Sequence, residues 1–238
     1  MKRFAKGKNV SKIKAMLKTF VPSFIAEYKT KQDGVLLTFD DGPHPVITPK
    51  ILNFLDQHCL KAVFFIVGRE AEKYPELVER IVREGHCLGN HSFCHKTPKK
   101  LGYQHYSRDL LRCQRILNKY SEGEPTLFRP PEGRLTFASW LAIKCHGMRA
   151  ILWSVESGEW GHFSHQTADE MYERLLKDIK HHDVILMHDN NEKVVTLVQR
   201  LLPALLAKGI NFVEPKSIYP YTPDPSNKNG SINSSDND

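Results

Sequence analysis

Residues 34–68 read GVLLTFDDGPHPVITPKILNFLDQHCLKAVFFIVG. An apolar run at 35–40 stops at Asp40-Asp41-Gly42-Pro43. A helical pattern then brings Ile51, Leu52 and Leu55 onto one face, and a second apolar run fills 62–68. Strand, helix and strand in this order predict a βαβ unit whose parallel strands are joined by a right-handed crossover. Both runs are continuous rather than alternating, as strands covered on both faces require.

The alternation continues to about residue 214, with further strands expected at 87–91, 127–129, 149–155, 184–188 and 210–213. The helices between them have readable ends. Thr48-Pro49 offers an N-cap followed by a proline at the first helical position. Pro75 opens and Gly85 ends a helix carrying Leu77, Val78, Ile81 and Val82. Thr167-Ala-Asp-Glu170 is a capping box ahead of Met171, Leu175 and Ile179. Helices are also expected at about 107–120, 137–146 and 192–208, the last kinked by Pro203 and stopped by Gly209. An α/β fold follows, and either a barrel or an open doubly wound sheet satisfies the pattern. No GxGxxG or GxxxxGK[ST] follows any strand, so dinucleotide and P-loop readings lack support.

At 238 residues, 40% hydrophobic and 26% charged, the chain can bury a sizeable core. No apolar run approaches the roughly 20 residues of a membrane span. The five cysteines (Cys59, Cys87, Cys94, Cys113, Cys145) are odd in number and form no CxxC pair. That argues against a disulfide scaffold or a cysteine zinc ribbon and fits a reducing compartment, so a cytoplasmic location is expected, with secretion left open.

The net charge is +7, yet residues 1–31 hold nine Lys or Arg against one acid, Glu27, and so carry +8. The rest of the chain is left with −1, which speaks against a nucleic-acid partner. Within the basic arm, residues 1–32, Ile13, Met16, Leu17, Phe20, Val21 and Phe24 recur at helical spacing among Lys8, Lys12, Lys14 and Lys18. Three readings fit: a helix packed on the barrel, an interfacial helix touching anionic membrane through residues 1–28 at the inner membrane surface, and a poor signal sequence. The tail, residues 220–238, is polar, rich in Pro, Asn and Ser, and expected to be disordered.

Function in α/β folds gathers at the C-terminal ends of strands. Those ends carry Thr38-Phe-Asp-Asp-Gly-Pro43, His91-Ser-Phe-Cys-His95, Arg129-Pro-Pro-Glu-Gly133, Trp153-Ser-Val-Glu-Ser-Gly-Glu-Trp160 and Leu186-Met-His-Asp189. Each has an ordinary reading alone: Asp-Gly-Pro is a common turn, histidines four apart usually lie on a surface, and a histidine beside an apolar strand is usually a satisfied core residue. Five polar clusters at five successive strand ends are hard to obtain by accident. Two histidines and one carboxylate form a zinc set that leaves a position open for water. With the chain bent at Gly42-Pro43, Asp40 and Asp41 can face one cleft, one to bind metal and the other to handle protons.

In this order and spacing the five motifs resemble those of the polysaccharide deacetylase family, the NodB-homology group or carbohydrate esterase family four, across about residues 33–215. The resemblance implies a distorted (β/α) barrel of about seven strands, with residues 33–219 as the catalytic domain. It also implies a divalent metal, zinc by default with nickel or cobalt admitted, on Asp41, His91 and His95. Asp40 would be the general base, Arg129 would hold it charged and oriented, and His188 would be the general acid, itself oriented by Glu159. Pro131, Glu132 and Gly133 would form the substrate loop, with a backbone N–H near Glu132 assisting the metal at the oxyanion. Trp160 and Leu186 would wall the acetyl pocket.

Three departures stand out, the first being an N-terminus without the clear signal peptide that many members of the family carry. Glu156 and Glu159 occupy positions where the family usually has aspartates, which moves each carboxylate by about one C–C bond. Glu132 replaces the usual aromatic, so it cannot stack on a sugar and should repel anionic substrates. The implied activity is removal of an N-acetyl group from an amino-sugar glycan. Alternatives are hydrolysis of another acyl amide or an O-acetyl ester, and a metal-retaining carbohydrate-binding protein without catalysis. The presence of Asp40, Arg129 and His188 together favours the enzyme, because binding alone needs no base, partner and acid.

Overall fold

The computed structural model describes residues 26–121 and 127–218. In chain order its strands are β1 (Leu36–Asp40), β2 (Val63–Ile66), β3 (Cys87–Asn90), β4 (Leu127–Phe128), β5 (Arg149–Ala150), β6 (Val155–Glu156) and β7 (Val184–His188). Its α-helices are α1 (Ile47–Gln57), α2 (Gly68–Lys73), α3 (Pro75–Arg83), α4 (Pro98–Leu101), α5 (Tyr103–Leu117), α6 (Phe137–Cys145), α7 (Ala168–Asp178), α8 (Glu192–Ala207) and α9 (Pro215–Ile218). The strands form one sheet in the order β5-β4-β3-β2-β1-β7-β6, and every pairing is parallel.

Of the two architectures the pattern allowed, the structure is the curled one, a distorted (β/α) barrel. The run expected as one strand at 149–155 is split between the two edges of the sheet. β5 pairs with β4 at one end and β6 with β7 at the other, and the chain between them crosses the gap, its Ile151 N–H still donating to the Phe128 carbonyl at 2.9 Å and its Ser154 N–H to the Val184 carbonyl at 3.1 Å. Part of the 26–30 segment fills that seam. The Glu27 N–H donates to the Ala150 carbonyl at 2.9 Å, the Leu152 N–H to the Glu27 carbonyl at 2.7 Å, and the Thr30 N–H to the His182 carbonyl at 2.9 Å. The C-terminal end of the arm assigned to residues 1–32 is thus built against the sheet. The whole of that arm's amphipathic pattern, and the tail at 220–238, lie outside the described residues. The strand expected at 210–213 is reduced to a single bridge between Val35 and Phe212.

Strand alternation sorts the side chains into two layers. Leu37, Phe39, Phe64, Ile66, Ile185 and Met187 point outward and pack under α1, α3, α7 and α8. Leu36, Val63, Phe65, Cys87, Val184 and Leu186 belong to the second cluster with Tyr106, Phe128 and Trp153. Asp40 continues the Leu36–Thr38 face and His188 the Val184–Leu186 face. Inward alternation therefore delivers both groups to the C-terminal mouth of the barrel. No helix among the described residues is long and apolar enough to cross a membrane.

The Thr167 capping box forms as expected, with its side chain accepting from the Glu170 N–H. Thr48 does not cap α1. That helix starts one residue earlier, and the His44 Nδ1 accepts from the N–H groups of Val46 and Ile47 at 3.2 Å each. Thr48 is completely buried and turned toward β7, where a second polar group claims it.

Candidate metal centre and active site

β1 ends at Asp40, and the next residue reverses the chain. Asp41 sits at φ 77°, in the left-handed region that a non-glycine residue enters at a cost. The reversal is made at Asp41 itself, ahead of the Gly42-Pro43 turn expected to make it. The Asp41 carboxylate thereby faces the loop after β3, where His95 is also left-handed, at φ 52°. Asp41 Oδ1 lies 3.5 Å from His91 Nε2 and 3.2 Å from His95 Nε2, and three ligand atoms of this trio fall within 4.8 Å of one another. Donors on a tetrahedral ion with bonds near 2.0–2.1 Å stand about 3.3 Å apart, so the spacing matches a divalent cation. Asp41 Oδ1 is buried without a hydrogen-bond partner, as an oxygen reserved for an ion would be.

The histidines are oriented for the same task. His91 Nδ1 meets the Arg129 carbonyl at 2.7 Å, which assigns the proton to Nδ1 and frees the Nε2 lone pair. The loop carrying His95 is held by Asp109 of α5, whose Oδ2 accepts from the Phe93 and Cys94 N–H groups at 2.9 and 3.3 Å. Asn90 supports it from below, its Oδ1 accepting from the Ser92 N–H at 2.8 Å.

Charge follows geometry. Burial opposes ionisation of Asp41, but the imidazoles of His91, His95 and His188 outweigh it and hold the carboxyl below the usual range. Burial also works against a charged His91, and the facing Asp40 and Asp41 overcome it, raising its pKa. His95 moves the opposite way, lowered by burial and by His91.

Asp40 is 3% exposed, and its Oδ1 accepts from Arg129 Nη1 at 2.7 Å. The arginine has no exposure of its own. Its Nη1 also donates to Thr38 Oγ1 at 2.8 Å, its Nε to the Ile151 carbonyl at 3.0 Å and its Nη2 to the Leu152 carbonyl at 3.0 Å. The guanidinium lies 4.0 Å over the Phe65 ring. Arg129 is therefore locked and can place Asp40, but it has no freedom to follow a substrate.

On the neighbouring strand, His188 is the register partner of Asp40 in the β1–β7 pair. His188 Nδ1 lies 3.4 Å from Glu159 Oε2, and its backbone N–H donates to Oε1 at 3.2 Å. Burial would lower the His188 pKa, but the Glu159 hydrogen bond and charge, with Asp40 and Asp41, raise it to about 9. The longer glutamate is accommodated by Ser157, whose hydroxyl lies against Glu159 Oε2 and within 2.8 Å of the Leu186 carbonyl. Arg174 fixes the same loop by donating to the carbonyls of Glu156 and Ser157.

Asp40, Asp41, His91, His95, Arg129, Glu159 and His188 are thus brought together at the mouth of the barrel. The substrate loop is more varied. Pro131 is buried, Gly133 lies against the Trp153 ring, and Glu132 adopts φ 58° in the turn. Glu132 is not a free anion: Lys100 reaches Oε1 at 3.0 Å and Arg134 reaches Oε2 at 2.9 Å. Leu186 is buried two residues before His188, whereas Trp160 is half exposed. A cleft of about 230 Å³ opens beside the trio, lined by Asp41, His44, Arg69, Glu70, His95 and Asn190 among others.

A seven-stranded parallel barrel with an Asp-His-His trio, a locked aspartate and a carboxylate-backed histidine at its mouth defines a class of metal-assisted hydrolase. The polysaccharide deacetylase family profile matches residues 27–151. A peptidoglycan-N-acetylglucosamine deacetylase of Bacillus cereus is 34% identical over 189 residues, covering 78% of this chain and 68% of the relative. A chitooligosaccharide deacetylase of Sinorhizobium fredii is 30% identical over 194 residues, covering 76% and 89%. The crystal structure of the Bc1960 peptidoglycan N-acetylglucosamine deacetylase superposes with a TM-score of 0.76 at 32% identity, covering 84% of this chain and 94% of that one. The chain belongs to the polysaccharide deacetylase family.

Proposed function

We propose that this protein is a divalent-metal-dependent hydrolase that removes N-acetyl groups from amino-sugar glycans, with peptidoglycan and chitooligosaccharide fragments as the substrate classes its relatives suggest. The observation that carries the reading is the registered pair Asp40 and His188 beside the Asp41-His91-His95 trio. A cation held by that trio would supply Lewis acidity toward the acetyl carbonyl and would lower the pKa of water there to about 7. Zinc suits the N/O donor set, and nickel or cobalt would also fit it.

Asp40, held by Arg129, accepts the proton of the attacking water. His188, on the neighbouring strand and backed by Glu159, delivers a proton to the leaving amine nitrogen. Its raised pKa keeps that proton available at neutral pH. Gly133 and Arg134 spend their N–H groups inside the turn on the Pro130 and Pro131 carbonyls, which supports the Glu132 N–H as the backbone donor toward the developing oxyanion. Leu186 and Trp160 then border the methyl of the acetyl group.

The test is acetate release by zinc-loaded protein from a panel of N-acetylated chitooligosaccharides and peptidoglycan fragments. Release that is lost on chelation and restored by zinc is expected. Undiminished release after exhaustive chelation would refute the metal role. Binding of glycan with no release on any substrate would make the protein a carbohydrate-binding module.

A further inference from the structure

The two residues after His188 reach back to the strained turn of β1. Asn190 Nδ2 donates to Asp41 Oδ2 at 3.2 Å, leaving Oδ1 to face the histidines. Asp189 is 1% exposed, and its backbone N–H donates to the Asp40 carbonyl at 3.2 Å. Its carboxylate sits directly on Gly42, where an added Cβ would come within 2.1 Å of Oδ2. Thr48 Oγ1 donates to that same Oδ2 at 2.6 Å while accepting the His44 N–H at 2.7 Å. Every residue from 40 to 44 except Pro43 is thus gripped by the 189–190 segment, directly or through Thr48.

Such a grip answers a specific need. A non-glycine residue at positive φ costs on the order of 1–3 kcal/mol and persists only where its surroundings over-determine it. A carboxylate that must offer one oxygen to a cation also needs its other oxygen held, or it rotates among alternatives. The His91 and His95 side chains cannot supply that hold, since both approach Oδ1.

We propose that Asn190 is the positioning residue of Asp41, with Asp189 and Thr48 clamping the turn behind it, so that cation affinity depends on this segment outside the ligand trio. The inference rests on the reading of Asp41 as a ligand. It would make the last motif a two-part device, His188 for proton delivery and residues 189–190 for holding the neighbouring strand's ligand.

The experiment measures zinc affinity of the full chain by competition with a chromogenic chelator, alongside thermal unfolding of the metal-free protein. Asn190→Ala should weaken zinc binding about 10- to 100-fold, the usual effect of losing a partner of a metal ligand. The unfolding midpoint of the metal-free protein should stay near that of the wild type. Thr48→Val, nearly the same shape without the hydroxyl donor, should weaken zinc in the same direction and provides a second route if Asn190→Ala folds poorly. Wild-type affinity in a folded Asn190→Ala protein would overturn the proposal, as would a zinc loss that merely tracks loss of the metal-free fold. A wild-type protein that binds no zinc would instead remove the ligand reading on which it rests.

Discussion

His91 Nδ1 donates to the backbone carbonyl of Arg129 at 2.7 Å, while the side chain of the same arginine holds Asp40 Oδ1 at 2.7 Å. One residue therefore orients His91, the proposed metal ligand, with its main chain and Asp40, the proposed general base, with its guanidinium. The two functions separate on mutation, because only the second is carried by the side chain.

Asp40→Asn should keep zinc at one ion per chain while acetate release drops by a factor of about 10²–10⁴, the usual contribution of a general base. Asp41→Asn removes the anionic ligand and should lose both metal and activity. Arg129→Ala leaves the His91 acceptor in place but strips a buried partner from Asp40, which typically costs about 3–5 kcal/mol. Elemental analysis, acetate assay and urea denaturation of the three variants distinguish these outcomes. Retention of full activity in Asp40→Asn would exclude the mechanism.

The alkaline limb of activity belongs to His188. As general acid it works protonated, so kcat/KM should hold as pH rises and fall through about 9, the value to which Glu159 lifts it against burial. Replacing Glu159 with Gln removes the strongest raising influence and leaves burial opposed only by Asp40 and Asp41. The limb should move to lower pH by about one unit or more. A pH–rate profile unchanged in Glu159→Gln would mean that His188 is not the group being read.

The chemistry was far easier to read in the sequence than its supports. Each proposed catalytic group stands at or just after a strand's C-terminal end, and continuous apolar runs followed by polar clusters mark those ends directly. The supports come from side chains whose local context says something else. Asp109 lies mid-helix in a segment whose pattern announces only an amphipathic face, yet it anchors two N–H groups of the His95 loop. Thr48 precedes a proline and looks like a cap, but burial against Asp189 outcompetes that role and His44 takes it over. The 149–155 run reads as one strand because its hydrophobicity is unbroken. Sheet curvature assigns its two ends to opposite edges, and no local signal reports curvature.

Acid stability should carry the mark of His86, a fully buried histidine whose Nδ1 accepts the Ala62 N–H at 3.2 Å. Burial, reinforced by the charges of Lys61, Arg80 and Lys216, lowers its pKa to about 3. The unfolded chain takes up this proton near pH 6.5 and the folded chain only near 3. Stability therefore falls as pH drops through that window, each unit of separation being worth about 1.4 kcal/mol. In His86→Gln, which keeps an acceptor but cannot titrate, the slope of unfolding free energy between pH 6.5 and 3 should be shallower. Urea denaturation of metal-free protein at a series of pH values measures it, and an unchanged slope would contradict the assignment.

Glu132 bears on which glycans the site prefers. Its sequence position suggested an anion repelling acidic substrates, but Lys100 and Arg134 occupy both of its oxygens and lower its pKa, with the Lys100 hydrogen bond as the main cause. The loop thus presents two cations and one anion, and the carboxylate restrains the lysine and arginine instead of acting alone. Glu132→Gln would release both cations at the rim. Stability should change by no more than about 0.5 kcal/mol, because exposed pairs contribute little. Activity on neutral N-acetylated oligosaccharides should stay near the wild-type level, since the backbone N–H of residue 132 is kept. KM for fragments bearing carboxylates should fall several-fold at low salt, and the gain should fade at high salt as rim charges are screened. Parallel kinetics on a neutral chitooligosaccharide and a carboxylate-bearing peptidoglycan fragment, each at two ionic strengths, decide the matter. An equal change on both substrates would place the Glu132 effect in loop geometry and not in charge.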